Sequence, residues 1–296
     1  MHVVVAGASG FLGTALVAHL REVGHQVTRL IRSGEPAPDS SQWDPASGRI
    51  DRVLIDRADA VVNLSGATIA RWPRTRRYER VLWDSRIDST KTLVSAISAA
   101  ETATTLVSAS ALGYYGNERG QEPLTEGAPA GSGFLAELCQ AWESAAEPAA
   151  ESGGRVATLR TGLPLHADGG MLKPLLPLFK VGAGARLGSG DQLMSVLALH
   201  DWARAVTFLL ESSDASGPFN LALPRPVTNA EFTDGLGKAL SRPTFFVAPS
   251  LVLRTALGAL ADDLLGSVGM VPSALLEAGF TFEHPDLAST LQAALT

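Results

Sequence analysis

The chain has 296 residues, a formal net charge of −6 and one cysteine, Cys139. That length can bury a substantial core, as one large α/β domain or a domain with a smaller lobe. The charge gives no electrostatic reason to expect nucleic acid or an anionic membrane, the lone cysteine excludes an internal disulfide and fits a reducing cytoplasm, and no apolar run reaches the ~18 residues of a membrane span without a charge or proline.

The N-terminus shows no basic segment and cleavable apolar run, so secretion is not expected. It enters a strand directly: Val3, Val4 and Val5 form a continuous apolar run of the kind buried on both faces of a parallel sheet. Gly7, Gly10 and Gly13 follow at spacings of three, and Thr14 to Arg21 reads as helix. Gly7 permits a sharp turn, Gly10 lets a pyrophosphate approach the backbone, and Gly13 lets the helix pack closely on the strand. The helix N-terminus offers free N–H groups and a positive dipole end to phosphates. Three glycines alone are a weak signal. Between a strand and a helix they predict a dinucleotide-binding turn.

After Gly24 a second strand runs from Val27 to Ile31. A site preferring NAD places an acid near its end to hold the ribose 2′-hydroxyl. Here the sequence reads Ile31-Arg32-Ser33, with no acid before Glu35. A planar guanidinium suits a 2′-phosphate, so Arg32 predicts NADP(H) in preference to NAD(H). Residues 34 to 52 read as a loop anchored by Trp43, and Asp59 to Ala67 as a buried strand ending in small residues. The basic cluster Arg71, Arg74, Arg76, Arg77 and Arg80 reads as a solvated helix face, with contact to a phosphate-bearing substrate as the alternative. A long helix is expected from Tyr78 to Ala100, then a strand from Thr105 to Ser108 running into Ala109-Ser110-Ala111-Leu112-Gly113-Tyr114-Tyr115-Gly116.

At this point the motifs become specific. The glycine turn, Asn63-Leu64-Ser65-Gly66 and a serine-bearing strand end closing in Tyr115-Gly116 resemble the extended short-chain dehydrogenase/reductase superfamily. Arg71-Trp72, Ser85-Arg86, Phe134-Leu135-Ala136, Trp142-Glu143, Leu159-Arg160-Thr161-Gly162, Gly188-Ser189-Gly190 and Thr228-Asn229-Ala230-Glu231-Phe232 narrow the resemblance to its atypical YfcH-type, nucleoside-diphosphate-sugar-epimerase-like branch, over essentially the whole chain. The resemblance implies a Rossmann-like, doubly wound α/β fold with a small, mostly helical C-terminal lobe. It implies cofactor contacts from Gly7, Ser9, Gly10, Phe11, Leu12, Gly13, Ile31, Arg32, Leu64, Ser65, Gly66, Arg86, Ser108, Arg160, Thr161 and Gly162. A shared ancestry does not establish an epimerase reaction.

Working members of that superfamily pair a tyrosine with a lysine four residues later, so that the ammonium lowers the phenol pKa and grips the nicotinamide ribose. This chain has three tyrosines and no Tyr-x-x-x-Lys; the aligned positions are Phe134 and Leu138, which with Trp142 form an apolar stripe and predict a packing face. Ser110 matches the superfamily's substrate-contacting serine, and Tyr114 or Tyr115, with Tyr115 the one assigned, is the candidate phenolic acid, though nothing nearby in sequence would lower its pKa. Cys139 reads as a small buried thiol. The six histidines are scattered and no Cys-x-x-Cys occurs, so no metal is expected.

Further strands are expected at Arg155 to Leu159 and Phe219 to Leu221, with a helix from Trp202 to Glu211. The Gly- and Pro-broken stretch from Ala167 to Gly190 reads as a mobile cover, and residues 163–200 contribute to the substrate cleft. Ser195-Val196-Leu197-Ala198-Leu199-His200-Asp201 departs from the branch's usual Ser-Trp-Ile-His-Ile-Asp-Asp. The cofactor-binding domain is assigned to residues 1–225 and the lobe to 226–296, with a capping box at Thr228-Asn229-Ala230-Glu231 starting a helix to Leu240 and an apolar helix from Pro249 through Leu265. Pro272 and Pro285 stand near the starts of two shorter helices, and with no linker the lobe should dock on the larger domain. Two functions remain. One is a cytoplasmic, monomeric or homodimeric NADP(H)-dependent oxidoreductase or epimerase-like enzyme, acting on a small polar substrate such as a sugar-nucleotide-like one. The other is a catalytically silent NADP(H)-binding regulatory or partner-binding protein.

Overall fold

The computed structural model describes residues 1–296 apart from Pro36, Ala70 and Trp72; the Trp72 of the Arg71-Trp72 motif therefore lies outside the described residues. Seven parallel strands form the main sheet: β1 (His2–Ala6), β2 (Gln26–Ile31), β3 (Ser40–Gln42), β4 (Ala60–Asn63), β5 (Thr105–Ala111), β6 (Val156–Thr161) and β7 (Gly217–Leu221). Their spatial order is β3-β2-β1-β4-β5-β6-β7. The chain thus winds outward from β1 in one direction, returns to β4 beside it, and winds outward in the other. The fold is Rossmann-like and doubly wound. The strand order reverses between β1 and β4, where open parallel sheets leave a crevice beyond the strand ends.

The continuous apolar run is explained by helices on both faces. Val3 and Val5 pack with α1 (Phe11–Glu22) and the helix Leu199–Glu211 through Leu16, Leu20, Trp202 and Val206. Val4 points the other way, into a cluster with Leu93 and Ile97 of α2 (Arg76–Ser98) and Ala146 of α3 (Phe134–Ala146). With the label α4 for Leu199–Glu211, the sandwich is α1 and α4 over one face, α2 and α3 over the other.

Three sequence expectations need correction. The loop assigned to residues 34–52 contains β3, a one-turn 3-10 helix (Pro45–Ser47) and the start of a short helix (Arg52–Asp56). A three-residue edge strand is held by main-chain bonds such as Arg29 N–H to the Asp39 carbonyl, 2.8 Å, so its polar side chains carry no periodic signal. Trp43 does anchor this stretch, 5% exposed. The single helix expected from Pro249 to Leu265 is two, Ser250–Leu257 and Ala259–Leu265, broken at Gly258, whose φ of +52° ends the first turn series. The stretch from Ala167 to Gly190 holds a helix (Leu172–Lys180) and a strand (Ala185–Leu187) rather than plain loop.

The C-terminal lobe docks on the larger domain, as the lack of a linker predicts. Ser267–Met270 pairs in parallel with Glu118–Leu124. Leu291 and Ala294 of the last helix (Leu287–Leu295) enter a core with Leu165, Val196 and Phe232. The Asp201 carboxylate, fully buried, accepts the N–H groups of Glu283 at 2.9 Å and His284 at 2.8 Å. The capping box at Thr228 and Glu231 is formed, and it starts the helix Asn229–Ala239. Among the described residues no helix is long and apolar enough to cross a membrane.

The turn between β1 and α1 sets a testable steric limit. A Cβ on Gly13 would lie 2.2 Å from the Gly7 carbonyl oxygen and 2.8 Å from the Ala8 Cα, both backbone atoms. Gly13→Ala should therefore destabilise the fold by at least the ~1–3 kcal/mol of an overpacked core site. Thermal melts against Gly127→Ala, whose added carbon meets nothing nearer than 3.9 Å, check this. Equal melting temperatures for the two variants would show that the turn can open.

Candidate functional site

The crevice begins where β1 and β4 separate. Gly7 has φ +79°, and a Cβ there would meet the Leu64 carbonyl carbon and oxygen at 2.6 Å, so the turn lies directly on the backbone at the end of β4. Gly10 is the N-cap of α1 and supplies no side-chain cap, leaving the first helical N–H groups unclaimed by a side chain. Its own Cβ position faces open space, with only the Gly7 oxygen at 3.4 Å. Ser9 and Gly10 are exposed, and Phe11 and Leu12 are half-buried. Phe11 leans onto Gly169 and Gly170, at the start of the predicted cleft cover. This geometry is a backbone cradle for an anion at a helix N-terminus.

Along the cleft, Ile31 is half-buried at the end of β2 and Arg32 is exposed beyond it. Leu64 and Ser65 are half-buried and Gly66 is exposed, with Ser65 N–H held by Asn63 Oδ1 at 3.1 Å. Ser108 is fully buried, and its hydroxyl has no partner among the described residues.

Arg86 comes in from α2. It is 7% exposed and gives hydrogen bonds to two backbone carbonyls, Leu82 at 3.1 Å and Ala67 at 3.2 Å. Its guanidinium lies 5.0 Å over the Trp142 ring and borders Gly66. No carboxylate is paired with it among the described residues. Burial pulls its pKa down, the expected response of a desolvated cation.

A second group of residues sits beneath the end of β5. The Ser110 hydroxyl donates to Glu143 Oε1 at 2.6 Å. Arg160 grips the same carboxylate with two bonds, Nε to Oε1 at 2.9 Å and Nη2 to Oε2 at 2.8 Å. Its Nη1 donates to the Tyr115 hydroxyl at 3.1 Å and the Glu126 carbonyl at 3.0 Å, and its face stacks 3.4 Å from the Tyr114 ring centroid. The Tyr115 hydroxyl in turn donates to Asn220 Oδ1 at 2.7 Å. Burial works against the Arg160 charge, but the bonds to Glu143 outweigh it and hold the guanidinium more firmly protonated than usual.

Several sequence assignments change in this light. Tyr115 is fully buried with its hydroxyl engaged, and burial raises its pKa, the opposite of what a phenolic acid requires. Arg160 spends its donors on the protein, not on a ligand. The Thr161 hydroxyl accepts from Trp202 Nε1 at 3.2 Å, and a Cβ on Gly162 would fall 2.1 Å from the Ser195 carbonyl oxygen. These three are interior positions of β6 and its exit, with Arg160 and Thr161 bonded to other parts of the protein and Gly162 pressed against backbone. Leu138 and Trp142 are buried and Phe134 is partly so, giving the packing face expected of the stripe. Sequence reasoning passed over the roles of Glu143 and Asn220. The signal was available: an arginine in the buried strand Val-Ala-Thr-Leu-Arg-Thr demands an acid, and Glu143 stands one turn past Cys139 on the inward side of α3.

Among the described residues no group of histidine, cysteine and acid side chains could hold a metal ion. A cavity of about 550 Å³ lies at the start of α4, between His166, His200 and His284, and none of the candidate cofactor residues lines it.

Cys139 is 4% exposed, and burial, with the neighbouring Glu143 charge, pushes its thiol up to about 11. Near pH 8 only about one thiol in a thousand is then ionised. The native protein should leave a disulfide reagent such as DTNB unreacted and titrate one thiol per chain in guanidinium. Rapid native labelling would mean that α3 opens readily from β5.

Parallel strands in doubly wound order, a glycine-lined turn at the order reversal and a tail of short elements docked on top define a nucleotide-binding epimerase-type fold. The sequence profile of the NAD dependent epimerase/dehydratase family matches residues 3–222, and that of a domain of unknown function, DUF1731, matches residues 248–294. This chain belongs to that epimerase family. It is 46% identical to "Epimerase family protein MT2273" of Mycobacterium tuberculosis over 295 residues, 99% of this chain and 97% of the relative. The crystal structure of human epimerase family protein SDR39U1 (isoform 2) with NADPH is 32% identical and superposes with a TM-score of 0.89, covering 99% of both chains. UDP-N-acetylglucosamine 4-epimerase from Bacillus cereus, 18% identical with a TM-score of 0.76 over 99% of this chain and 97% of that one, shares the fold.

Proposed function

We propose that this protein binds NADP(H) across the end of the main sheet and is an epimerase- or reductase-like oxidoreductase acting on a small polar substrate. The observation that carries the reading is the cradle: an uncapped helix N-terminus beside Gly10, open to ligand, with Gly7 pressed onto Leu64. The residues fit the cofactor. The start of α1, with Ser9, Gly10, Phe11 and Leu12, would hold the diphosphate; Ile31 and Arg32 would hold the adenosine ribose and its 2′-phosphate; Leu64 to Gly66 would line the middle. Two groups support a ligand there: among the described residues the buried Arg86 charge has no acid and the Ser108 hydroxyl has no partner. The human relative crystallised with NADPH supports the same choice.

The bound nicotinamide would supply a hydride donor or acceptor. Ser110 is the polar side chain nearest to that chemistry in the sequence pattern. Because its proton is given to Glu143, what Ser110 can offer a substrate is a lone pair, which accepts from a hydroxyl. A second reading is favoured by one specific observation: Phe134 and Leu138 occupy the positions of the tyrosine and lysine and are packed into the core. In that reading the protein is a catalytically silent NADP(H)-binding regulator.

NADPH should raise the melting temperature, with ligand linkage contributing ~2.7 kcal/mol at one hundred times the dissociation constant. No shift at millimolar NADPH or NADH would remove the cofactor assignment. Replacing Arg32 by Asp takes away a charge-assisted contact of ~1.5–3 kcal/mol, so NADPH affinity should fall about tenfold to a hundredfold while NADH affinity holds or improves. Equal loss for both cofactors would leave Arg32 a surface arginine.

The two readings differ in turnover. Without a tyrosine–lysine pair, general acid–base help worth ~10² to 10⁴ in rate is missing, so UDP-galactose and simple ketones should turn over very slowly. Robust epimerisation of UDP-galactose would show that Phe134 and Leu138 move out of their packed positions. Native mass spectrometry of the purified protein, looking for a co-purifying small molecule besides the dinucleotide, separates an enzyme cleft from a silent one.

A further inference from the structure

Large exposed apolar side chains are gathered around one small sheet where the lobe meets residues 180–187. Val181, Phe245, Phe246, Val247, Leu251 and Val252 are all exposed, Phe245 at 86%, Val181 at 78% and Leu251 at 75%. They are neighbours. Phe246–Ala248 forms a two-stranded parallel sheet with Ala185–Leu187, and Arg242 Nε donates to the Lys180 carbonyl at 2.8 Å, which draws the end of Leu172–Lys180 alongside. The helix Ser250–Leu257 continues directly from that strand. Together the six residues expose on the order of 700 Å² over the two faces of this small sheet, taking a full aromatic side chain at ~150–250 Å² and the aliphatic ones at the low end of that range. Patches on ordinary monomers reach ~300–600 Å².

The sheet beneath the patch is open on one side. The outer edge of Ala185–Leu187 is covered, since Leu187 N–H donates to Asn229 Oδ1 at 2.8 Å. Phe246–Ala248 has Ala185–Leu187 as its single strand partner among the described residues, so its other edge presents unpaired N–H and C=O groups between exposed phenylalanines.

We propose that this face is the interface of a homodimer, in which Phe246–Ala248 pairs antiparallel with the same strand of a second copy. Two observations choose a second copy over other occupants. The apolar area of about 700 Å² is close to the ~800 Å² per partner that a standard stable interface buries. The open strand edge offers N–H and C=O groups that a second strand can pair and a lipid surface cannot. An antiparallel strand against itself is a twofold, self-complementary contact, and it closes at two copies. The three-residue strand fixes the register: Val247 faces Val247 of the second copy on the axis, and Phe246 faces Ala248. The contact also has a consequence for the cleft. Ala185–Leu187 belongs to the predicted cleft cover, and Gly188 N–H bonds to the Ala248 carbonyl at 2.9 Å, so each copy would brace the other's cover.

Sedimentation velocity of the full chain from about 1 to 100 μM tests the proposal, with a dimer expected at the upper end. Leu251→Glu buries a charge twice in a symmetric interface and should weaken dimerisation by at least about a hundredfold. Because Leu251 is exposed in the single chain, its melting temperature with and without NADPH should follow the wild type at low concentration. Val247→Cys should form a covalent dimer under mild copper–phenanthroline oxidation, whereas Val81→Cys, 44% exposed on α2, should not. Cys139 is buried and does not compete. A wild type that stays monomeric at 100 μM, an unchanged dimer in Leu251→Glu, or equal crosslinking of the two cysteine variants would overturn the proposal. Binding of the wild-type monomer to phosphatidylglycerol vesicles, lost in Leu251→Glu, would overturn it in favour of a lipid-facing patch.

Discussion

The structure depends on one backbone-to-backbone contact, the seating of the Gly7 turn on the end of β4. With φ at +79° and no room for a Cβ against Leu64, Gly7 lets the chain leave β1 sharply and still lie beside its neighbour strand. Gly13 repeats the demand one turn later, against the Gly7 carbonyl. These two approaches bring the start of α1 under the strand ends, and the order reversal between β1 and β4 opens the crevice above it. Were either glycine given a side chain, α1 would have to lift, and the N–H groups that form the cradle would lift with it. Phe11, at the start of α1, carries the opening on to the cover at Gly169 and Gly170.

Where working relatives in the superfamily carry a tyrosine and a lysine, this chain has invested in a buried ion pair beside an apolar stripe. Glu143 and Arg160 are 12% and 4% exposed in their side chains, and they are held by two hydrogen bonds, a stacked tyrosine and two further acceptors. Such a pair contributes little net stability relative to apolar packing, but loss of either partner strands a charge at a cost of ~3–5 kcal/mol. Its effect is positional. It fixes the end of β5, and with it the Ser110 hydroxyl, against α3. Arg86 differs in having no acid beside it among the described residues; two backbone carbonyls and the Trp142 ring hold its charge.

The fold was readable because its causes are local. Valine runs without polar interruption mark strands covered on both faces, and the spaced glycines, the Thr228 capping box and the prolines near helix starts act within a few residues. β3 escaped because a three-residue edge strand of Ser-Ser-Gln is defined by main-chain bonds to a neighbour and by nothing in its own pattern. The break at Gly258 was hidden in an apolar stretch that suits a helix on both sides of it.

The sequence by itself determined the dinucleotide cradle, the lack of an acid after β2 and the absence of a tyrosine–lysine pair, since each is a statement about residue type and short spacing. Only the tertiary structure decided which polar residues are spent on the protein. Arg160, Thr161 and Tyr115 look like ligand contacts in a motif, yet their partners are Glu143, Trp202 and Asn220, which are 17, 41 and 105 residues away. A motif records which groups lie near one another along the chain. Whether a buried donor is satisfied depends on what the packed chain brings to it, and that is set by long-range pairing of strands and helices.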